Sequence, residues 1–241
     1  MLVPLTREKF DELLPGLATG EQYRHYWGSL SDFLRRLLIS VVAGVVVFIA
    51  RLVLGETFDP LTFTAGTIAG LYWLWSPVWQ ASRRNRWARR SSYSGFWRGK
   101  VLDVFVTDEV VGTEETVNNR GELVIVEDRE RYLNLEIGDK TGFTTRVQAV
   151  LKRDHRLIRR GDIAEMLVLS NREDLSRINL ISDVYVPDHK LWVGDYPYLR
   201  RDIFLEVRQK LLSNRSYRRP RREVEPMYDD DYPLPAEDSY R

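Results

Sequence analysis

Two stretches near the front of the chain lack charge over lengths that matter to a lipid bilayer. Leu37 to Ala50 reads LLISVVAGVVVFIA, followed by Arg51 and LVLG. From Leu37 to Leu54 the run is 18 residues, about 27 Å as a helix and close to a hydrocarbon core of about 30 Å. Arg51 sits at one end, where its stem can snorkel to the interface. Pro60 to Ser82 then passes 23 residues without a charge, and neither run has the polar stripe of a soluble surface helix. The reading is a transmembrane two-helix hairpin over residues 34–82, with spans at about 34–54 and 61–80. Pro77, lacking a backbone donor, is expected to end or kink the second span. The first run begins too late for a cleaved leader.

The charges around the hairpin set its expected orientation. Arg35 and Arg36 precede the first run, and Arg83, Arg84, Arg86, Arg89 and Arg90 follow the second. The connection GETFDP holds Glu56 and Asp59 and no cation. The positive-inside rule places both termini in the cytoplasm or its equivalent, with the arginines as a topology anchor touching anionic headgroups. Trp73, Trp75 and Trp79 are expected interfacial aromatics. Ala65, Gly66, Ala69 and Gly70 form a small-residue strip with a GxxxG spacing, and Gly44 in the first span could match it. That strip suits packing within the hairpin or docking onto another membrane protein.

The remainder divides by texture. Residues 1–33 read as an amphipathic interfacial arm, residues 83–95 as a basic juxtamembrane linker and residues 96–197 as a cytoplasmic β domain. Strand-like runs occur near residues 100–111, 121–128, 131–138, 144–153, 163–171 and 181–187, with Asn119-Arg120-Gly121 and DKTG as turns. Short strands at that spacing predict a small antiparallel sheet or barrel of SH3-like or OB-like type. Leu199, Ile203, Val207 and Leu211, four residues apart, predict a C-terminal helix over residues 198–212. Residues 213–241, an arginine block followed by an acidic, proline-rich end, read as a disordered tail. The expected fold class is therefore an α+β membrane protein.

Chemistry is sparse. There is no cysteine, and His25, His155 and His189 are far apart with no metal-ligand spacing. No phosphate-binding loop, dinucleotide fingerprint or nucleophile elbow occurs. The expectation is a non-enzymatic protein with no catalytic residues, cofactor or metal. Lys+Arg of 36 against Asp+Glu of 35 leaves a net charge of +1, which argues against nucleic acid as a partner. The expected partners are the lipid bilayer and a membrane protein complex or a second copy, in an assembly or scaffolding role. The alternatives are an accessory transporter or channel subunit and a membrane-tethered nucleic-acid module.

The LYWLWSPVWQASRRNR junction, the GDIAEMLVLS segment and the arginine-then-acidic tail resemble a family of two-span membrane proteins of cyanobacteria and plastids. Some members carry the label phosphate ABC transporter permease. The resemblance covers about residues 30–212 and implies a plasma or thylakoid membrane. Nothing in the sequence cradles phosphate.

Overall fold

The computed structural model of the protein describes residues 1–54, 59–117 and 123–218. The expected turn at Asn119–Gly121, most of the GETFDP connection and the tail from residue 219 lie outside these.

The chain begins with strand β1 (Leu2–Leu5) and two short helices, α1 (Arg7–Leu13) and α2 (Gly20–Trp27). Thr19 closes a capping box on α2: its hydroxyl accepts from the Gln22 amide, and the Gln22 side chain accepts from the Thr19 amide. Gly28 ends α2 at φ +68°, a left-handed conformation that glycine adopts without steric cost. Three helices follow: α3 (Leu30–Leu54), α4 (Asp59–Gly70) and α5 (Tyr72–Ala88).

The expected transmembrane two-helix hairpin is not what forms. Among the described residues only α3, with 25 residues, is long and apolar enough to cross a membrane. The second charge-free stretch is divided at Leu71. Its first part, α4, has 12 residues, about 18 Å, well short of a hydrocarbon core. Its second part, α5, is an amphipathic helix whose Ser76, Pro77, Ala81, Ser82, Asn85 and Ala88 are buried. Pro77 lies inside α5 and neither ends it nor marks a boundary.

The rest of the unit is one eight-stranded antiparallel sheet: β2 (Tyr93–Val117), β3 (Leu123–Gly138), β4 (Thr144–Val150), β5 (Ile163–Ser170), β6 (Ile178–Ile181), β7 (Val184–Val186), β8 (Leu191–Val193) and β1. The main path runs β4-β3-β2-β5-β7-β8, with β1 on β2 and β6 on β5. A small SH3-like or OB-like barrel of evenly short strands is also not what forms. The runs near residues 121–128 and 131–138 merge into one strand, and β2 extends over 25 residues.

One face of the sheet carries the main core: Trp97, Val101, Leu133, Leu135, Ile137, Val147, Met166, Val168, Val184 and Val193. The predicted inward set Leu133, Leu135 and Ile137 is buried as its alternation requires. The opposite face buries Phe96, Leu167 and Leu169. Phe204 stacks there on Phe96, with ring centroids 5.6 Å apart, and on Trp192 at 5.1 Å. Strand β5 is therefore buried on both faces, which explains its unbroken apolar run. At Gly99 a Cβ would stand 2.4 Å from the Gly138 carbonyl oxygen, so two strand backbones meet where only glycine fits.

The N-terminal arm belongs to this unit. Strand β1 pairs with the start of β2, and Phe10, Leu13 and Leu14 are buried. Residues 83–95, expected as a linker, form the end of α5 and the start of β2. The last helix, α6 (Arg201–Arg218), runs past residue 212, so residues 213–218 continue it. Its first turn up to Phe204 belongs to the unit above, and Leu205 onward forms a second unit. In that second unit Lys210 pairs with Glu206 at 2.5 Å, one helical turn apart.

Candidate functional site

Helix α3 presents its apolar side chains outward. Leu38, Val41, Val42, Val46, Phe48, Ile49, Leu52 and Val53 are all exposed, Val53 at 80%. Its buried positions are Arg36 and Ser40. Helix α4 and the start of α5 pack on it in antiparallel fashion: Arg51 forms a bidentate pair with Asp59 at 2.9 and 3.1 Å, Gly66 faces Val47, and Ser40 Oγ accepts from the Trp73 amide of α5 at 3.0 Å. Of the small residues singled out in sequence, Gly44 and Gly66 line one shallow cleft between α3 and α4. Ala65, Gly66, Ala69 and Gly70 all fall on α4. At the base, Trp27 stacks on Phe33 at 5.7 Å, and Trp73 meets both rings edge-on at 5.8 and 6.3 Å. Trp75 lies beside Tyr72 and donates to the Ile68 carbonyl, whereas Trp79 is exposed further along α5.

The seven arginines separate into two groups. Arg36 is buried, donates to the Tyr26 and Trp27 carbonyls and lies over the Trp27 ring, capping the C-terminal end of α2. Arg84 donates to the Tyr198 hydroxyl at 2.9 Å and to Asp195 at 3.0 Å. Arg89 donates to Asp11 and to the Leu14 carbonyl. Those three hold the folded unit together. Arg35, Arg83, Arg86 and Arg90 are exposed.

Helix α5 is held by an amide pair absent from the sequence reading. Gln22 and Asn85 are both fully buried and exchange side-chain bonds at 2.8 and 3.2 Å. The Tyr196 hydroxyl donates to Asn85 at 3.2 Å, and Gln22 also donates to the Pro197 carbonyl at 2.9 Å. Burial and the neighbouring Tyr26 push the Tyr196 phenol well above its usual pKa.

Beside this network a polar cleft of about 300 Å³ is lined by Glu21, Arg24, His25, Lys152, Asp183 and Arg201, among others. Asp183 forms its floor. One carboxylate oxygen accepts from the Leu199 amide at 3.3 Å, and the other, also buried, has no hydrogen-bond partner. Burial raises this carboxyl to a pKa of about 7, against the pull of Arg201. Arg201 stacks over Trp192 and pairs with Glu21 at 3.0 Å. Gly194 permits the close approach, because a Cβ there would stand 2.9 Å from Asp183 Cβ. Burial lowers the pKa of His25 at the rim. Asp183 and Asp195 thus meet in one cleft, while Asp188 lies apart and accepts from the Ile163 amide. Among the described residues no three His, Asp or Glu side chains converge on a metal position.

The third feature is an arm of the sheet. Pairing of β2 with β5 ends at Lys100, and pairing of β3 with β4 ends at Tyr132. Beyond those points, from Thr107↔Tyr132 to Val117↔Leu123, β2 and β3 pair with each other. Val110, Val111, Leu123 and Ile125 are exposed, the last two at 73% and 66%. Asp108, Glu109, Glu115, Glu127, Asp128 and Glu130 outnumber Arg129 and Arg131 on the arm. Two-stranded ribbons are marginal alone in water, and open edges are templates for a further strand.

A sequence profile described as a family of unknown function (DUF8619) matches residues 3–219. No curated protein matches the chain, and no solved structure does.

Proposed function

For this chain, which belongs to the family of unknown function DUF8619, we propose a non-enzymatic membrane-anchored scaffold that offers a β arm to a partner protein. The carrying observation is α3: apolar and exposed over its length, although both of its flanks are built into one folded unit. Burying such a surface in lipid removes a water contact that no other described segment removes. Because β1 and α2 pack with β2 and α5, the segments before α3 and after α4 lie at one bilayer face, and α3 and α4 together enter the lipid from that face and return to it. The arginine excess makes that face cytoplasmic, with both termini on that side. The resemblance to cyanobacterial and plastid proteins supports a plasma or thylakoid membrane.

The arm supplies the docking element. Its free edges and exposed Val111, Leu123 and Ile125 suit addition of a strand from a membrane protein complex or a second copy. A photo-crosslinking residue at Val111 or Ile125, in native membranes, should give a discrete adduct that is lost when the arm is shortened. Migration as a monomer in several mild detergents with no adduct would refute the scaffold reading. Release of the protein by alkaline carbonate would refute the anchor.

A further inference from the structure

We infer that one face of α5 is a binding surface for anionic phospholipid headgroups, a reading that rests on the membrane anchor proposed above. By helical spacing Trp79, Arg83, Arg86 and Trp87 share one side of α5, and Arg90 follows in the turn after its end. All five are exposed, Trp79 at 48% and Trp87 at 55%, and the Arg83 guanidinium lies 5.5 Å over the Trp79 ring. The opposite side carries Ala81, Asn85 and Ala88 and is buried. Two large aromatics are costly to leave in water, and the cations beside them complement a negatively charged interface.

The level of this face follows from its neighbours. Asp32 and Arg35 of α3 and Gln80 of α5 line one cleft of about 420 Å³ together with Tyr72 and Ile39, and Ile39 belongs to the exposed apolar surface of α3. The cleft therefore sits where apolar side chains give way to polar ones. Trp79 is next to Gln80 at that level. At about 1.5 Å per residue along α5, Arg83 lies roughly 5 Å beyond Gln80 and Arg86 roughly 9 Å, with Arg90 past the end of the helix. Screening acts over about 8–10 Å in physiological salt. Arg83 is thus within reach of lipid phosphates, Arg86 is at their edge and Arg90 is largely screened. Arg84 and Arg89, turned inward to Tyr198, Asp195 and Asp11, take no part.

The test uses the full chain reconstituted in vesicles of equal parts phosphatidylcholine and phosphatidylglycerol. The motionally restricted fraction of spin-labelled lipid of each kind is measured by electron spin resonance. The expected result is a several-fold preference for phosphatidylglycerol that weakens with salt. Arg83→Gln should remove most of it, on the order of fivefold for a cation at the surface. Arg86→Gln should remove less, Arg90→Gln least, and Arg83→Lys should retain the preference. Equal association of the two lipids, or a preference untouched by Arg83→Gln and Arg86→Gln, would overturn the headgroup site while leaving the anchor standing. Recovery of no protein with these vesicles, nor with phosphatidylcholine alone, would remove the anchor and this inference with it.

Discussion

Helices α3 and α5 arise from sequence of the same kind and end in opposite surroundings. Each begins in a stretch rich in apolar residues and is flanked by arginine. Along α3, most of the valine, leucine and isoleucine side chains face outward and are exposed, and only the side toward α4 is covered. Along α5, small and polar residues face inward, where Gln22, Tyr196 and Tyr198 meet them. Lack of charge is thus a poor guide to what a helix finally packs against. What separates the two is whether distant parts of the chain supply matched partners, and α5 has them because Ser76, Ser82 and Asn85 leave room and polar groups for them.

The largest effect should come from breaking the α5 side of this contrast. Asn85→Leu leaves the buried Gln22 amide and Tyr196 hydroxyl without their partner and should cost about 2–4 kcal/mol of stability. Denaturant unfolding in detergent would measure it. Gln22→Leu in the same background should cost less than it does alone, because its two bonds to Asn85 are already gone. A loss below about 0.5 kcal/mol for Asn85→Leu would show that the network does not hold α5.

A charge on α3 should act on the membrane and not on the fold. Val46 is exposed in the middle of the helix, and Val46→Asp should cost about 3 kcal/mol of insertion while leaving unfolding of the sheet unchanged. Carbonate extraction reads the first quantity and circular dichroism the second. If the variant unfolds with the sheet, α3 packs against protein instead.

Next comes the cleft. The folded state holds Asp183 protonated up to about pH 7, whereas in the unfolded chain it ionises near 3.8. The native state therefore binds more protons across that window, and stability contributed by this group falls as pH rises from about 4 to 7. His25 and His155, whose pKa values burial lowers, act in the opposite sense, losing stability as pH falls below 6.5. Comparison of Asp183→Asn with the unaltered protein isolates the carboxyl. The variant should gain stability at pH 8 relative to pH 5, on the order of a few kcal/mol at most. Equal pH slopes for the two proteins would show that Asp183 is not held protonated.

The smallest effect belongs to the arm. Ile125→Ser removes an exposed side chain and should change stability by less than about 0.5 kcal/mol. It should still weaken the cross-linked adduct. A large loss of stability would mean that the arm is already covered by the folded unit.

Local pattern made much of the sheet legible. Leu133, Leu135 and Ile137 alternate in sequence and are buried together, and the turn at DKTG joins β3 to β4. The merging of two expected strands into β3 was not legible, because Glu127–Arg131 breaks the apolar alternation and looks like a loop. On the arm both faces are solvated, so charged residues cost nothing there. The arginine run was visible as a block, but its division was not. Helical spacing alone places Arg83 and Arg86 on one face, yet which face is buried depends on Asp11, Asp195 and Tyr198.

The sequence by itself determined that α3 would be a long apolar helix, since 14 consecutive uncharged residues from Leu37 to Ala50 favour that state without help from elsewhere. It also determined the inward face of β3. Only the tertiary structure decided that the second charge-free stretch would divide into α4 and α5, and that three of seven arginines would turn inward. Those outcomes rest on contacts such as Gln22 with Asn85 and Tyr196 with Asn85, 63 and 111 residues apart. Hydrophobic burial depends on what a side chain finally touches, and residues that far apart are brought into contact only by folding.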